Sequence, residues 1–241
     1  MKYTKSIVLT LCFSVLLFTE CTVSDINKTL GGILDTPPTT AEVASGLKEA
    51  LIQGANKGSN TASQLDGYLK NPKIKIPFPP DVQNVADKLR QIGLGDQVDR
   101  FVTTLNRGAE NAAKEAGPIF VGAIKQMTVQ DAWNILKGEE DAATQFLRRT
   151  TQDQLYAKFK PVISASLKST NATKYYADIV NTYNKIPFVT KVNPDLEDYA
   201  TTKAMDGIFY LIAQEEANIR ENPAARASDL LKKVFKQQDA S

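Results

Sequence analysis

Apolar side chains recur every three to four positions from about residue 40 to residue 235, which is the spacing of one buried face of an α-helix. A long stripe of this kind runs from Val98 to Ala116 and ends at Gly117. Pro118 follows, at a place where the first turn of a new helix tolerates proline. The pattern predicts an all-α fold, a single compact domain of about eight to ten helices.

Helix starts are predicted by threonines that precede an acidic or amide side chain by three residues, as Thr128 and Thr151 do. On this basis we expect a short helix at 143–147 to end before a second helix covers 155–167. Another short helix is expected over 61–69, after the first helix of the domain. These boundaries are expectations from local pattern alone.

Two segments depart from the amphipathic pattern. Residues 204–213 are apolar on all sides, so the helix that contains them, over about 194–220, is expected to be central and buried. Residues 71–80 alternate apolar and polar side chains before they reach a run of prolines. They predict a short extended strap, with Ile74, Ile76 and Phe78 facing the helices and its two lysines facing water.

The first residues form an export signal. A short basic start with Lys2 and Lys5 precedes an apolar run from Ser6 to Phe18. This run is shorter than the roughly 20 residues that span a bilayer, and it matches the apolar region of a cleaved signal. We therefore assign residues 1–20 to a signal peptide and expect the protein in the cell envelope, outside the cytoplasm.

Cys21 follows the apolar run directly and is the expected site of lipid attachment. The segment that ends in Cys21 resembles the lipobox of bacterial lipoproteins, in which the acylated cysteine becomes the first residue. Glu20 departs from that pattern, since a small residue usually precedes the cysteine. Cleavage after Ser24 by ordinary signal peptidase is the alternative. The lipobox interpretation predicts a lipid anchor on a membrane, on its periplasmic or outer side.

Residues 21–38 contain paired glycines and paired prolines without sustained periodicity, which predicts a flexible tether. Residues 39–241 are then expected to form the all-helical domain. There is no internal repeat of solenoid length.

Composition removes several classes of function. The chain has no histidine, so every mechanism that uses imidazole as acid, base or metal ligand is excluded. Its two cysteines, Cys12 and Cys21, both lie at the leader, so the domain has no thiol for catalysis, disulfides or metal binding. A net charge of +2 argues against a nucleic-acid partner. We expect no cofactor and no metal.

Four polar residues are candidates for a ligand pocket. Asn106 and Glu110 flank the apolar stripe of their helix, and Lys203 and Asp206 lie three residues apart in the apolar central helix. If Lys203 and Asp206 are buried, each must be paired or hydrogen-bonded. An internal ion pair is one explanation, and the polar floor of a ligand pocket is the other.

Carboxylate clusters at 139–141, 195–198 and 215–216 are the remaining means of acid–base chemistry without histidine. Most of them sit at expected helix starts, where the helix dipole favours negative charge. Glu216 lies four residues before Arg220, which predicts a solvated ion pair. Paired catalytic carboxylates are therefore the weaker interpretation.

The chain also resembles an uncharacterised bacterial family catalogued only as domain of unknown function 4197. Members of this family typically carry an export signal, often of lipoprotein type, and the family supplies no established activity, ligand or catalytic residue. The resemblance covers essentially Thr39 to Phe235 and rests on the following segments: Gly46–Leu51, Asn71–Pro77, Asn106–Glu110, Ala123–Ala132, Asp141–Thr144, Tyr183–Asn184, Lys203–Gly207 and Asn222–Arg226.

These features favour a non-enzymatic envelope module that binds a partner protein or a small apolar or anionic ligand. Such a module predicts a groove with few convergent polar groups. The first alternative is a carboxylate-dependent enzyme that acts on an envelope glycan, which needs two carboxylates across a cleft. The second is a purely structural envelope protein, which predicts an apolar surface patch and no pocket.

Overall fold

Nine α-helices joined by short turns build the residues that the computed structural model describes, which are 37–185, 187–188 and 190–239. The predicted all-α class is confirmed. Two short 3-10 turns precede α2 and α9, at Pro80–Val82 and Pro223–Ala225. The helices are α1 (Thr40–Ser63), α2 (Gln83–Gln91), α3 (Gly95–Ala113), α4 (Ala116–Gln126), α5 (Val129–Leu136), α6 (Ala142–Lys168), α7 (Ala172–Tyr183), α8 (Leu196–Glu221) and α9 (Asp229–Asp239).

Helix α8 lies at the centre, as its continuous apolar stretch predicts. It packs against α1, α3 and α6, and it also contacts α7 and α9. Ala204, Ile208 and Phe209 on this helix are almost completely buried. Helix α1 is the second packing hub, because it contacts α3, α4, α5 and α9 as well as α8. Helix α4 packs between α1 and α6 and keeps one face at the surface.

Small residues at every fourth position of α1 allow its close approach to α8 and α9. Gly46, Gly54 and Gly58 belong to this stripe. A Cβ on Gly58 would stand 3.0 Å from Cγ1 of Ile212 and 3.3 Å from the backbone nitrogen of the same residue. A Cβ on Gly46 would stand 2.8 Å from Cγ2 of Val234. The backbone of α1 therefore packs directly against side chains of α8 and α9. Larger residues at these glycine positions would prevent this close approach.

Two predicted helix boundaries are wrong. Helix α1 continues to Ser63, and residues 64–70 form turns instead of a helix, with Asp66 in the left-handed region at φ 69°. The helices expected at 143–147 and 155–167 are one helix, α6. Thr151 lies inside α6, and its hydroxyl donates to the carbonyl of Leu147 at 2.6 Å. A helical threonine can bond to the carbonyl four residues earlier, so the cap pattern alone does not require a break.

The strap at 71–80 is confirmed as a non-helical segment bound to the helices by alternate side chains. Ile74, Ile76 and Phe78 are buried, whereas Lys73 and Lys75 are exposed. No β-strand occurs in the described ranges, so the backbone of this segment must find its partners elsewhere.

The predicted signal peptide at 1–20, Cys21 and the tether up to residue 36 lie outside the described residues, so signal, anchor and tether stay predictions. Over the part of the chain that the structure covers, no helix is both long enough and apolar enough to cross a membrane.

Candidate functional site

Asn106, one of the four predicted pocket residues, is buried in α3 and binds the strap. Its carboxamide oxygen accepts from the backbone N–H of Ile76 at 2.8 Å, and its nitrogen donates to the carbonyl of Ile76 at 2.8 Å. The same nitrogen donates to the carbonyl of Val102 at 2.7 Å. The Asn106 side chain thus makes the hydrogen bonds to Ile76 that a neighbouring β-strand would make. Both polar atoms of its carboxamide are hydrogen-bonded to backbone groups of the protein.

Glu110 has a similar function one turn further along α3. Its carboxylate accepts from the backbone N–H groups of Tyr68 and Leu69, both at 3.2 Å. It also accepts from Arg107, whose guanidinium reaches Asp66 at 2.7 Å. Arg107 and Glu110 thus form an ion pair at i, i+3 on α3. Hydrogen bonds from Lys70 and then Arg107 lower the pKa of Asp66, which fixes this carboxylate in its charged form.

Tyr68 connects this turn to the central helix. Its ring is completely buried, and its hydroxyl donates to the carbonyl of Ala204 at 2.6 Å. Burial raises the pKa of the Tyr68 hydroxyl far above its usual value, so the group remains a donor. A Cβ on Gly207 would stand 2.6 Å from the Tyr68 ring, which explains a glycine in the middle of α8.

The expectation that Lys203 and Asp206 form a buried pair is wrong. Lys203 is exposed. The Asp206 side chain is 46% exposed and pairs with Arg148 of α6, with Arg148 Nη1 and Asp206 Oδ1 3.2 Å apart. Lys203 and Asp206 lie on a side of the central helix that meets solvent, so this helix is not buried on every side. The four candidates do not converge, and ligand binding by any of them stays a prediction.

The Glu216–Arg220 pair is buried, which corrects its assignment as a solvated pair. The two side chains are 7% and 12% exposed. Glu216 accepts from the N–H groups of Ala143 and Thr144 at 2.9 and 2.8 Å, and from the Thr144 hydroxyl at 2.8 Å. It therefore caps the first turn of α6 from a different helix. The i, i+4 spacing predicts the pairing but cannot reveal its burial.

A surface groove lies between α4 and α6, and we call it the α4–α6 groove. It has a volume of about 560 Å³. Its floor is apolar, and amide, hydroxyl and charged groups form its rim. The lining consists of Pro118, Ile119, Gly122, Ala123 and Gln126 of α4, Asp131 of α5, and Phe146, Arg149, Thr150 and Gln154 of α6.

Gly122 at the floor of this groove has no packing reason within the protein. A Cβ at this position would meet nothing within 4 Å. Glycine in the interior of a helix costs about 0.5–1 kcal/mol relative to alanine. Gly46, Gly58 and Gly207 offset that cost by close contacts, whereas Gly122 does not. The open backbone at Gly122 is thus available for close approach by another molecule.

Arg149 supplies the positive charge of the groove. Its guanidinium lies over the ring of Phe146, 5.7 Å from the ring centroid. Across the described part of the chain it forms no salt bridge, in contrast to its neighbour Arg148. Asp131 also lines the groove and caps α5 together with Thr128, whose hydroxyl and backbone hydrogen bonds lower the Asp131 pKa, with a smaller contribution from the charge of Arg149. The rim therefore carries charges of both signs.

A second groove, between α6 and α8, contains the acidic side chains that an enzyme would need. It has a volume of about 370 Å³. Asp153 and Asp206 both line it, together with Tyr156 and Arg148. Asp206 pairs with Arg148, and Asp153 is the second carboxylate of the groove. No cluster of three or more metal-ligating side chains occurs in the ranges that the structure describes.

Fold and grooves together define a compact all-α domain in which the uncharged residues of α4 form a groove with polar and charged residues of α5 and α6. The chain belongs to the family described as "Protein of unknown function (DUF4197)", whose profile matches residues 37–236. No curated protein matches the chain, and no solved structure does. The family resemblance stated from the sequence is therefore confirmed.

Pattern analysis missed the α4–α6 groove. The signal that was available is the sequence of α4, which has no charged residue from Ala116 to Ile124 although one of its faces meets solvent. A surface helix normally places charges on its outer face. Gly122 lies inside the apolar pattern of this helix, and its spacing alone does not distinguish an open glycine from a packed one.

Proposed function

We propose that the protein is an exported, lipid-anchored binding module of the bacterial envelope that holds an extended segment of a partner protein in the α4–α6 groove. The observation that carries this proposal is Gly122, an open glycine in mid-helix that lines the α4–α6 groove. The protein bears the cost of this glycine without any internal contact, which is expected where another backbone must approach.

The chemistry of the lining supports a peptide. Ile119 and Phe146 offer an apolar floor for side chains, while Gln126 and Gln154 offer amides that can both donate to and accept from a peptide backbone. Arg149 is available for an acidic group of the partner. A volume of about 560 Å³ is within the range of about 300–1,000 Å³ that ligand sites occupy.

The anchor at Cys21 and the export signal are the second part of the proposal. An acyl group on Cys21 would hold the domain near a membrane surface, where its partner would also reside. Replacing Cys21 by Ser should release the protein from membranes. Unchanged membrane association of this variant would contradict the proposed lipid anchor. It would not bear on the proposed binding of a partner in the α4–α6 groove.

The experiment for the groove is site-specific photocrosslinking from position Thr150 on its rim, in cells of the native host. We expect a crosslinked protein that disappears in the Gly122→Leu variant, because the new Cβ meets nothing within 4 Å and the leucine side chain occupies space in the groove. Ala157→Leu is the matched control, since Ala157 is an exposed residue of α6 outside the groove.

The outcomes separate the proposal from its competitors. A crosslink that is equal in Gly122→Leu and Ala157→Leu would contradict a role of the groove. Native mass spectrometry of the full chain purified from its host gives the complementary result. If the full chain retains a small molecule and the Gly122→Leu variant does not, the ligand of the groove is a small molecule and not a peptide.

A carboxylate enzyme is the second candidate, and it rests on the presence of Asp153 and Asp206 in the α6–α8 groove. Hydrolysis of an envelope glycan by the full chain would be lost in Asp153→Asn, in which the acid–base group is removed at an exposed position. If the full chain does not hydrolyse the glycan, or if the Asp153→Asn variant still hydrolyses it, the enzyme hypothesis is wrong.

A further inference from the structure

A third groove lies between α1 and α4, and we call it the α1–α4 groove. Small and polar residues make up most of its lining. It has a volume of about 490 Å³ and shares only Pro118 with the α4–α6 groove. The described lining consists of Asn56, Ser59, Asn60 and Ser63 of α1, Ala113 and Lys114 at the end of α3, and Gly117, Pro118 and Val121 of α4.

Ser59 is the unusual residue in this lining. It is 4% exposed, and its hydroxyl has no hydrogen-bond partner among the described residues. A serine inside a helix can donate to the carbonyl four residues earlier, but Ser59 does not. Buried polar groups in native proteins are nearly always bonded, so an unpartnered hydroxyl at a groove needs an explanation. A ligand that accepts from Ser59 provides one.

The electrostatic character of the groove favours an anion. Lys114 is its charged group, and no carboxylate occurs among the lining residues that the structure describes. Lys114 Nζ donates to Asn111 at 3.0 Å, which holds the ammonium near the rim and leaves it exposed. Glu115, the neighbouring acidic residue, is exposed and does not belong to the lining.

The first turn of α4 adds to the positive potential. Helix α4 begins at Ala116, and no side chain in the described chain caps its N-terminus. The start of a helix carries a partial positive charge and favours anions. Gly117 and Pro118 of this turn line the groove, opposite the amide of Asn56 and the hydroxyl of Ser59. The C-terminal end of α3 at Ala113 lines the same groove with the opposite partial charge, so the net positive charge of the groove comes from Lys114.

From these observations we propose that the α1–α4 groove binds the phosphate group of a small organic phosphate, with Ser59 and Lys114 as its principal ligands. The phosphate oxygens accept from the Ser59 hydroxyl, from the amides of Asn56 and Asn60 and from the Lys114 ammonium. The groove is larger than a phosphate ion, so the remainder of the ligand lies over Val121 and Pro118. This site is independent of the peptide groove.

The test is isothermal titration calorimetry of the purified full chain with two probes. Glycerol phosphate represents a free phosphate ester, and a soluble short-chain phosphatidic acid represents a lipid headgroup. We expect binding that is weakened about tenfold or more in Ser59→Ala and in Lys114→Gln. Lys158→Gln, an exposed lysine of α6 outside the groove, is the matched control and should bind as the unmodified chain does.

The variants keep the proposal falsifiable. Alanine suits a helix and removes a hydroxyl that has no partner, so Ser59→Ala should fold; near-UV circular dichroism checks this. Lys114→Gln alters an exposed position and tests the site without touching the core. The proposal is overturned if neither probe binds at about 10 mM, ten times a Kd of about 1 mM. It is equally overturned if both variants bind like the control. If the short-chain lipid binds more tightly than glycerol phosphate, the phosphate that the groove binds belongs to a lipid headgroup.

Discussion

Glu216→Ala should be among the most destabilising single changes in the domain. The carboxylate accepts hydrogen bonds from α6 at Ala143 and Thr144 and from the guanidinium of Arg220. The pair faces an apolar cavity of about 30 Å³ lined by Leu47, Ile212 and other aliphatic side chains. Removal of Glu216 leaves a nearly buried Arg220 without its counter-ion and leaves the start of α6 without its cap.

The magnitude follows from two losses. Breaking a buried ion pair by removing one partner costs about 3–5 kcal/mol, and loss of a helix cap costs about 0.5–2 kcal/mol. The terms share the same carboxylate, so we expect a total of about 4 kcal/mol. This is a large part of the roughly 5–15 kcal/mol by which domains of this size are stable.

The assay is urea unfolding of the full chain, followed by circular dichroism at a helical wavelength. Glu215→Ala is the matched control, because the neighbouring Glu215 pairs with an exposed Lys57 at 2.7 Å. Lys57 is 56% exposed and Glu215 is 19% exposed, so this pair is partly screened by solvent and the control should lose only about 1 kcal/mol. Replacement of both Glu216 and Arg220 by Leu should cost less than Glu216→Ala alone. Equal losses in Glu216→Ala and Glu215→Ala would refute the reasoning.

Three further predictions concern the strap, the packing of α1 and the response to acid. Asn106→Leu should cost about 2–4 kcal/mol in urea unfolding and speed amide exchange at Ile76, since it leaves buried backbone groups unpaired; unchanged exchange would contradict this. Gly58→Ala should cost about 1–3 kcal/mol, because the new methyl meets α8 at 3.0 Å, and a stabilised variant would show that the helices can separate. A hydrogen bond from Lys233 lowers the pKa of Glu42 from 4.5 to about 2, so its stabilising effect is complete above pH 4.5 and lost as the pH falls towards 2. Unfolding of Glu42→Gln should depend less on pH in that interval, and an unchanged slope would contradict the pairing.

Periodicity was sufficient for the class of fold and for the strap. The 3.6-residue spacing identifies helices, and the alternation at 74–78 assigns the correct side chains to the core. The fusion of two expected helices into α6 could not be predicted, because Thr151 satisfies both a cap pattern and a helix-interior bond. Local sequence cannot choose between those two hydrogen bonds without the neighbouring helices.

The predicted site residues show the same limit. Asn106 and Glu110 flank the apolar stripe of α3, but that position predicts neither their burial nor their partners, which are backbone atoms of a segment about 30–40 residues away. Lys203 and Asp206 were placed in a helix taken as buried on all sides, whereas one side of it meets solvent. Spacing on one helix indicates which residues share a face, but not which neighbour covers that face.

The most direct test of the binding account is the effect of Gly122→Ala on stability and on partner capture in the same protein. Because nothing lies within 4 Å of the new methyl, the variant should be about 0.5–1 kcal/mol more stable in urea unfolding. It should also lose most of the crosslink from position 150. A variant that is more stable and crosslinks as well as the unmodified chain would contradict the claim that the open floor of the α4–α6 groove receives a partner.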